Sequence, residues 1–409
     1  MPLDLSSSLR IAIQALDPKG SKLAMEVVDL VLAAARAQGA SDVHLQPGSD
    51  SFEIRWRIDG ILQPAASLPR SLAPNVVARL KVLADLLTYR ADSPQEGRIR
   101  SVPGSSEFEM RVSTFPTLHG EKAVVRLFAE ANRYRKIAEL GYPKEVASSL
   151  TRLLSETSGM ILLTGPAGSG KTTTIYACLR EIVAATEGTR SLVSLEDPIE
   201  ADVAGVAQSQ VNLAAGFDLA TGLRSLLRQD PEVIAVGEVR DRITAEGAFG
   251  ASLTGHLVLT TFHAGSAAGA IGRLSDMGIE PYVLRSGLLA VLSQRLVRKL
   301  CEACSRPVVG AEGFLGLAVK TARMPVGCGE CGVTGYRGRT VLAELLVPGN
   351  AEVARAILDR TDVAKVESAA IAAGMATRWD RARQAVEAGV TSPAEVRRVL
   401  GFSEGAEGG

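Results

Sequence analysis

Aromatic residues are scarce in this 409-residue chain, at 4%, and neither sign of charge is in excess: 45 Lys and Arg face 45 Asp and Glu. Chains that hold nucleic acid over a broad surface carry a basic stripe and aromatic platforms. The composition argues against such a surface and leaves room only for a local patch. No apolar run approaches the ~18 residues a membrane-spanning helix requires. The opening MPLDLSSSLR lacks the charged and apolar regions of a secretory signal. A cytoplasmic protein is expected, and disulfides are rare there. Internal repeats and low-complexity tracts are also missing. What is present is a globular composition, 46% hydrophobic and 22% charged, long enough for two or three cores.

Residues 1–22 are polar and punctuated by Pro and Gly, as in a flexible lead-in. LAMEVVDLVLAAARAQGASDVH then places apolar residues at helical spacing up to Gly39. SFEIRWRIDGIL alternates apolar and polar residues around Asp59-Gly60, the pattern of a β-hairpin. NVVARLKVLADLL reads as a second helix, and FEMRVSTFPTLHGEKAVVRLF as two strands around a loop. Residues 23–128 are therefore expected to form a mixed α+β domain, and the charged, irregular residues 129–142 a linker. Within residues 143–402 the pattern changes. GMILLTG, RSLVSLED, EVIAVGE and HLVLTTF are short continuous apolar runs separated by helical segments. Such runs imply a parallel sheet covered on both faces. Residues 403–409, SEGAEGG, have the composition of a disordered tail.

GPAGSGKT, Gly165 to Thr172, satisfies G-x-x-x-x-G-K-[ST] in full, with a strand before it and a helix after it. Gly165, Pro166, Ala167, Gly168, Ser169 and Gly170 would turn backbone N–H groups inward around phosphates at a helix N-terminus. Lys171 would reach the β- and γ-phosphates, Thr172 would ligate Mg²⁺, and Thr173 is a further nucleotide-binding candidate. Three further strand ends carry polar groups: Glu238 after EVIAVG, Glu196 with Asp197 and Glu200 in SLEDPIE, and His256 and His263 around HLVLTTF. Singly, an acidic strand end is an ordinary solvated turn or cap, and a single His an ordinary satisfied polar residue. Together, beside a phosphate loop, they fit the rule that ligands bind at the carboxyl ends of parallel strands.

The order GPAGSGKTTTIYACL, SLEDPIE, LLRQDPEVIAVGEVRD, TGHLVLTTFHAGSA resembles the secretion ATPases of type II secretion and type IV pilus assembly, the GspE/PilB branch. GASDVHLQP, RWRIDGIL, EGRI, SQRLVRKLCEAC and GCGECGVTGYRGRTVLAELL share the likeness, which runs from about Leu23 to Leu400. The resemblance implies a RecA-like P-loop ATPase domain behind a smaller, PAS-like α+β domain that clamps ATP. It implies that Glu238 is the Walker B glutamate. Glu196 would position the attacking water, and His263, with His256 as a second candidate, would sense the γ-phosphate. Arg98, Arg111 and Arg126 match arginines that the family points at the phosphates. Gln46 stands where the family usually has an acid, and MATRWDRARQ is a loose form of its L-x-x-D-G pattern. A homo-hexamer at the cytoplasmic face of the inner membrane is implied. It would meet the membrane through a platform protein and have no direct nucleic-acid partner. A DNA-uptake or conjugation-type translocation ATPase, and a ring scaffold that binds ATP without hydrolysing it, are the alternatives.

Four of the five cysteines lie in 31 residues, as Cys301/Cys304 and Cys328/Cys331. Two C-x-x-C knuckles in a reducing compartment suggest a closed, tetrahedral structural Zn²⁺ site. Four reduced structural thiols are the alternative. The element, residues 300–345, is expected as an insertion in the ATPase domain. The family's assembly and secretion members carry such an element and its retraction motors generally lack it.

Overall fold

The computed structural model of the chain describes residues 5–99, 110–127 and 136–402 and divides into two compact units. One comprises Met1–Glu130, Cys301–Cys304 and Pro325–Arg337. The other comprises Ala131–Leu300, Ser305–Met324 and Gly338–Gly409. Among the described residues no helix is long and apolar enough to cross a membrane.

The first unit runs α1 (Leu5–Gln14), α2 (Leu23–Ala37), β1 (Asp42–Pro47), β2 (Ser51–Ile58), β3 (Ile61–Pro69), α3 (Ala73–Leu83), β4 (Gln95–Ile99), β5 (Met110–Thr117) and β6 (Gly120–Leu127). The strands form one sheet in the order β3-β2-β1-β6-β5-β4, antiparallel at every junction. Alternation decides its two faces. Val43, Leu45, Ile54, Trp56, Val112 and Val125 are buried together with Val28 and Val31 of α2 and Val77 and Leu80 of α3. The expected hairpin turns at Asp59 (φ 48°) and Gly60 (φ 82°), the left-handed pair a two-residue turn needs. The expected first helix stops where Gly39 takes φ 65°. The expected lead-in instead contains α1. Leu9 is buried, Ile13 and Leu16 pack against the same core, and the Arg10 guanidinium donates to the Ala65 carbonyl at 3.2 Å. Leu9, Ile13 and Leu16 recur at helical spacing, which the neighbouring serines and Pro18-Lys19-Gly20 obscure in the sequence.

The second unit contains α4 (Lys144–Leu153), β7 (Gly159–Thr164), α5 (Lys171–Ala185), β8 (Leu192–Glu196), β9 (Ala207–Gln210), α6 (Leu219–Leu226), β10 (Val233–Val236), α7 (Arg242–Leu253), β11 (Leu257–Phe262), α8 (Ala267–Asp276), α9 (Pro281–Gly287) and β12 (Leu288–Leu300). A small pair, β13 (Arg306–Pro307) and β14 (Arg323–Met324), precedes β15 (Tyr336–Leu346). The helices α10 (Ala351–Leu358), α11 (Val363–Ala372), α12 (Arg378–Glu387) and α13 (Pro393–Leu400) follow. Its sheet has the order β15-β12-β7-β11-β10-β8-β9 and is parallel from β12 to β9. The four apolar runs read from the sequence are β7, β8, β10 and β11. Both faces are covered. Met160 and Leu162 of β7 join the core that holds Phe249 of α7 and Ile271 of α8. Ile161 and Leu163 join the core that holds Ile175 and Leu179 of α5. Cys178 lies buried in that second core. Ile137 and Tyr142, at the end of the stretch expected as a linker, belong to it too.

The last helix is locked to the sheet by one buried carboxylate. Glu395 accepts from the Arg298 backbone N–H at 3.0 Å and pairs with the guanidiniums of Arg298 and Arg398 at 2.7 and 2.6 Å. Burial alone would raise its pKa. The bonds from Arg398 and Arg298 outweigh burial and lower it. The stabilisation is therefore complete above the ordinary glutamate range and fades as pH falls through the lowered value. Glu395→Ala removes the buried carboxylate that the Arg298 N–H and the guanidiniums of Arg298 and Arg398 share, and is expected to cost about 2 kcal/mol of stability, read by urea unfolding. A loss within error of zero would contradict this packing.

Candidate functional site

Parallel pairing brings the strand ends of the second unit to one edge. Phe262 stands opposite Thr164, Thr260 opposite Val236, and Val236 opposite Leu195. Residues 165–170 leave β7 at that edge and turn into α5. Gly165 has φ 146°, and a Cβ there would stand 2.5 Å from the Gln294 carbonyl oxygen and 2.7 Å from Ser169 Oγ. No other residue fits that cradle. Pro166, Ala167 and Gly168 form its exposed rim. Gly170, at φ 90°, starts α5, whose first turn presents Lys171 and the half-buried Thr172 and Thr173. Lys171 Nζ donates to the carbonyls of Gly165 (2.9 Å) and Pro166 (3.0 Å). Burial pushes its ammonium down to about 8, against the opposing pull of Glu238. The buried Ser169 hydroxyl has no hydrogen-bond partner among the described residues. Free N–H groups at a helix start, a buried ammonium and a spare hydroxyl suit an oligophosphate.

Glu238 and His263 join this loop. Glu238 follows the end of β10 and is 20% exposed at its side chain. One oxygen meets His263 Nε2 at 3.0 Å and the other meets Arg240 at 3.1 Å. His263 follows the end of β11, and its Nδ1 lies 3.1 Å from the Gly165 carbonyl. The imidazole thus lies between the Gly165 carbonyl and the Glu238 carboxylate and touches both. The turn after His263 is held by guanidiniums from three elements. Arg273 donates to the His263 carbonyl at 2.6 Å, and Arg295 and Arg378 donate to the Gly265 carbonyl at 2.8 and 3.1 Å.

Of the other residues singled out in the sequence, Glu196 shares this edge, with its Cα 3.4 Å from where a Cβ on Gly237 would stand. Glu196 is buried at the end of β8, and its carboxylate accepts from Tyr176 of α5, Ser194 and Gln208. His256 is at the opposite end of β11 from His263, bonded to the Ala251 carbonyl at 3.0 Å. A six-residue strand, about 20 Å of backbone, lies between the two residues. The expectation that His256 reads a γ-phosphate is thereby corrected, because a residue before a parallel strand cannot reach the edge formed by the strand's end. Arg98, Arg111 and Arg126 lie in the first unit and stand side by side. Arg98 pairs in register with Arg111, Arg111 with Arg126, Arg126 with Asp42, and Asp42 with Arg57. Asp42 engages Arg126 at 3.1 Å and Arg57 at 3.5 Å. One row across the sheet therefore carries four arginines and one aspartate on its polar face. The row is basic, and Asp42 holds two of its four arginines. His44 on the same face is held below its ordinary range by burial and by Arg57.

The four cysteines of the knuckles converge, with all four sulfurs within 4.8 Å of one another. Cys301–Cys328, Cys304–Cys331 and Cys328–Cys331 are separated by 3.8, 3.9 and 3.8 Å. A tetrahedron with zinc–sulfur bonds of about 2.3 Å has edges of about 3.8 Å, so the donor set fits. The N–H groups of Cys328 and Gly335 point at Cys331 Sγ from 3.2 and 3.1 Å. Gly327 reaches φ 107° where a Cβ would meet the Val333 carbonyl at 2.5 Å, so glycine is required under the knuckle.

Comparison with known proteins extends this geometry. The family described as Type II/IV secretion system protein matches residues 17–398. The type II secretion system protein E of Pseudomonas aeruginosa is 42% identical over 381 residues, covering 92% of this chain and 75% of its own length. The type IV pilus assembly ATPase PilB of Thermus thermophilus is 40% identical over 382 residues, covering 91% of this chain but 42% of its own length. Among solved structures, the Legionella pneumophila ATPase DotB shares the fold, with a TM-score of 0.67 at 20% identity, over 94% of this chain and 97% of its own. The pilus retraction motor PilT with bound ADP aligns with a TM-score of 0.54 at 25% identity, over 91% and 99% of the two chains. A phosphate loop on a RecA-like sheet, a smaller α+β unit, a tetracysteine cluster and these matches lead to one conclusion: the chain belongs to the Type II/IV secretion system protein family.

Proposed function

We infer that the chain is a motor ATPase that hydrolyses ATP at the site built from Lys171, Glu238 and His263. Turnover would drive assembly of a type II secretion pseudopilus or a type IV pilus. The observation that carries this reading is the Gly165 carbonyl. It accepts from both Lys171 and His263 while His263 also holds Glu238, so phosphate binding and the candidate hydrolytic carboxylate share one network.

Lys171 would exchange its two loop carbonyls for phosphate oxygens. Thr172 and Glu238 have the oxygens to hold Mg²⁺, which screens phosphate charge when bound. Glu238 is better suited than Glu196 to polarise water. Its side chain is partly exposed, whereas the Glu196 carboxylate is filled by three protein donors. Glu196 then serves by tying β8 to α5 through Tyr176. The row of Arg98, Arg111 and Arg126 has the charge to stabilise a transferring phosphoryl group. The four cysteines would hold a structural Zn²⁺. A homo-hexamer working on an inner-membrane platform protein from the cytoplasmic face is the assembly in keeping with the family.

Lys171→Ala is expected to abolish phosphate release. Glu238→Gln should keep ATP binding while reducing turnover about a hundredfold or more, as loss of a group acting on water does. Wild-type turnover in either variant would overturn the site. A Lys171 ammonium that titrates near 8 also gives a sign. In the free protein its charge is present below that pH and lost above it, so kcat/KM for ATP should fall as pH rises through about 8. A flat profile to pH ~10 would contradict the burial of this lysine. Zinc should copurify at about one atom per chain, and Cys328→Ser should lower stability with little effect on KM. Freshly purified protein without zinc would refute the metal assignment.

A further inference from the structure

Gln294 has no part in the roles above, yet it touches both limbs of the phosphate loop. It sits on β12, one residue past Ser293, whose register partner is Thr164 at the end of β7. Its backbone carbonyl is the atom that forbids a Cβ at Gly165. Its side-chain Nε2 donates to the Ser169 carbonyl at 2.7 Å, and lies 3.2 Å from where a Cβ of Gly170 would stand. One residue therefore closes on the loop where it leaves β7 and where it enters α5.

The amide is oriented from behind. Oε1 accepts from the Tyr142 hydroxyl at 2.7 Å, with Thr174 Oγ1 a longer 3.4 Å away. Tyr142 and Thr174 are themselves 2.9 Å apart. A flipped amide would set its oxygen against the Ser169 carbonyl, two acceptors with no proton between them. Only one orientation satisfies the buried set. Burial raises the Tyr142 pKa, which keeps the phenol a neutral donor. Gln294 is 2% exposed and Tyr142 9% exposed, so water does not substitute readily for either bond.

We propose that Gln294 is a positioning residue for the phosphate loop: oriented by Tyr142, its amide holds the Ser169 carbonyl and sets the loop backbone on which the nucleotide phosphates rest. Tyr142 lies on the segment by which the chain enters the second unit, so the loop's geometry is tied to the seating of that segment. The assignment rests on the nucleotide-binding reading above, and the test separates the two. Backbone N–H contacts to phosphate act in ground state and transition state alike. Losing their alignment raises KM and leaves kcat nearly unchanged. Partial misfolding does the reverse, lowering apparent kcat with KM intact.

The test measures Mg-ADP affinity by titration calorimetry, and KM and kcat for ATP, in the wild type, Gln294→Met, Tyr142→Phe and the double variant. Gln294→Met keeps length and bulk, and should raise the ADP Kd and the ATP KM about tenfold. Tyr142→Phe removes one oxygen and should raise both about threefold, since Thr174 still meets the amide. In the Gln294→Met background, Tyr142→Phe should change neither. Nucleotide-free melting temperatures report folding separately. Equal effects of Tyr142→Phe in both backgrounds, or a Gln294→Met protein with unchanged KM, would overturn the proposal. A wild type that binds no Mg-ADP would overturn the nucleotide reading itself.

Discussion

One backbone oxygen carries much of the site. The Gly165 carbonyl accepts from the Lys171 ammonium and from the His263 ring, and the same ring reaches Glu238. A carbonyl has two lone pairs, so this occupancy is complete. On the proposed reading, phosphate binding at Lys171 and the candidate carboxylate Glu238 are linked through this one carbonyl and the His263 ring. The cost is local. Gly165 must stay glycine at φ 146°, and Lys171 must be buried at the expense of its charge.

The sheet makes this arrangement possible. Parallel strands buried on both faces end at one edge, and the residue just past each strand is the first free to be polar. Thr164, Val236 and Phe262 end β7, β10 and β11, and the functional groups follow within two residues of Val236 and Phe262. The turn after β11 is fastened by Arg273, Arg295 and Arg378, and Glu344 of β15 accepts from the N–H groups of Ala267 and Arg378. The N-terminal ends of α8 and α12 are thus anchored on one buried carboxylate, which fixes where His263 can stand.

Much of this was legible in the sequence, for identifiable reasons. Asp59-Gly60 between alternating strands and Gly165–Thr172 between strand and helix are local signals, and both hold. His263 could be told from His256 by strand polarity, since one follows the apolar run and the other precedes it. Arg98, Arg111 and Arg126 stood out only through the family resemblance, and their in-register alignment depends on which strands pair. Gln294 was not legible. LLAVLSQRLVRKL reads as a mixed run, and its contact with the loop arises from register against β7. Tyr142 was hidden in a charged stretch that resembles a linker. The helix α1 was hidden because its short apolar spacing is flanked by turn residues.

On the proposed reading, Lys171, Glu238 and His263 act on a nucleoside triphosphate through a metal-assisted displacement. The most direct measurement is phosphate release from ATP by the purified chain, with Mg²⁺ supplied and with Mg²⁺ omitted. Omission, rather than chelation, leaves the tetracysteine cluster undisturbed. Release that saturates with ATP when Mg²⁺ is present and vanishes when it is omitted is the expected result. Equal release in both conditions, or none in either with ATP demonstrably bound, would contradict the account.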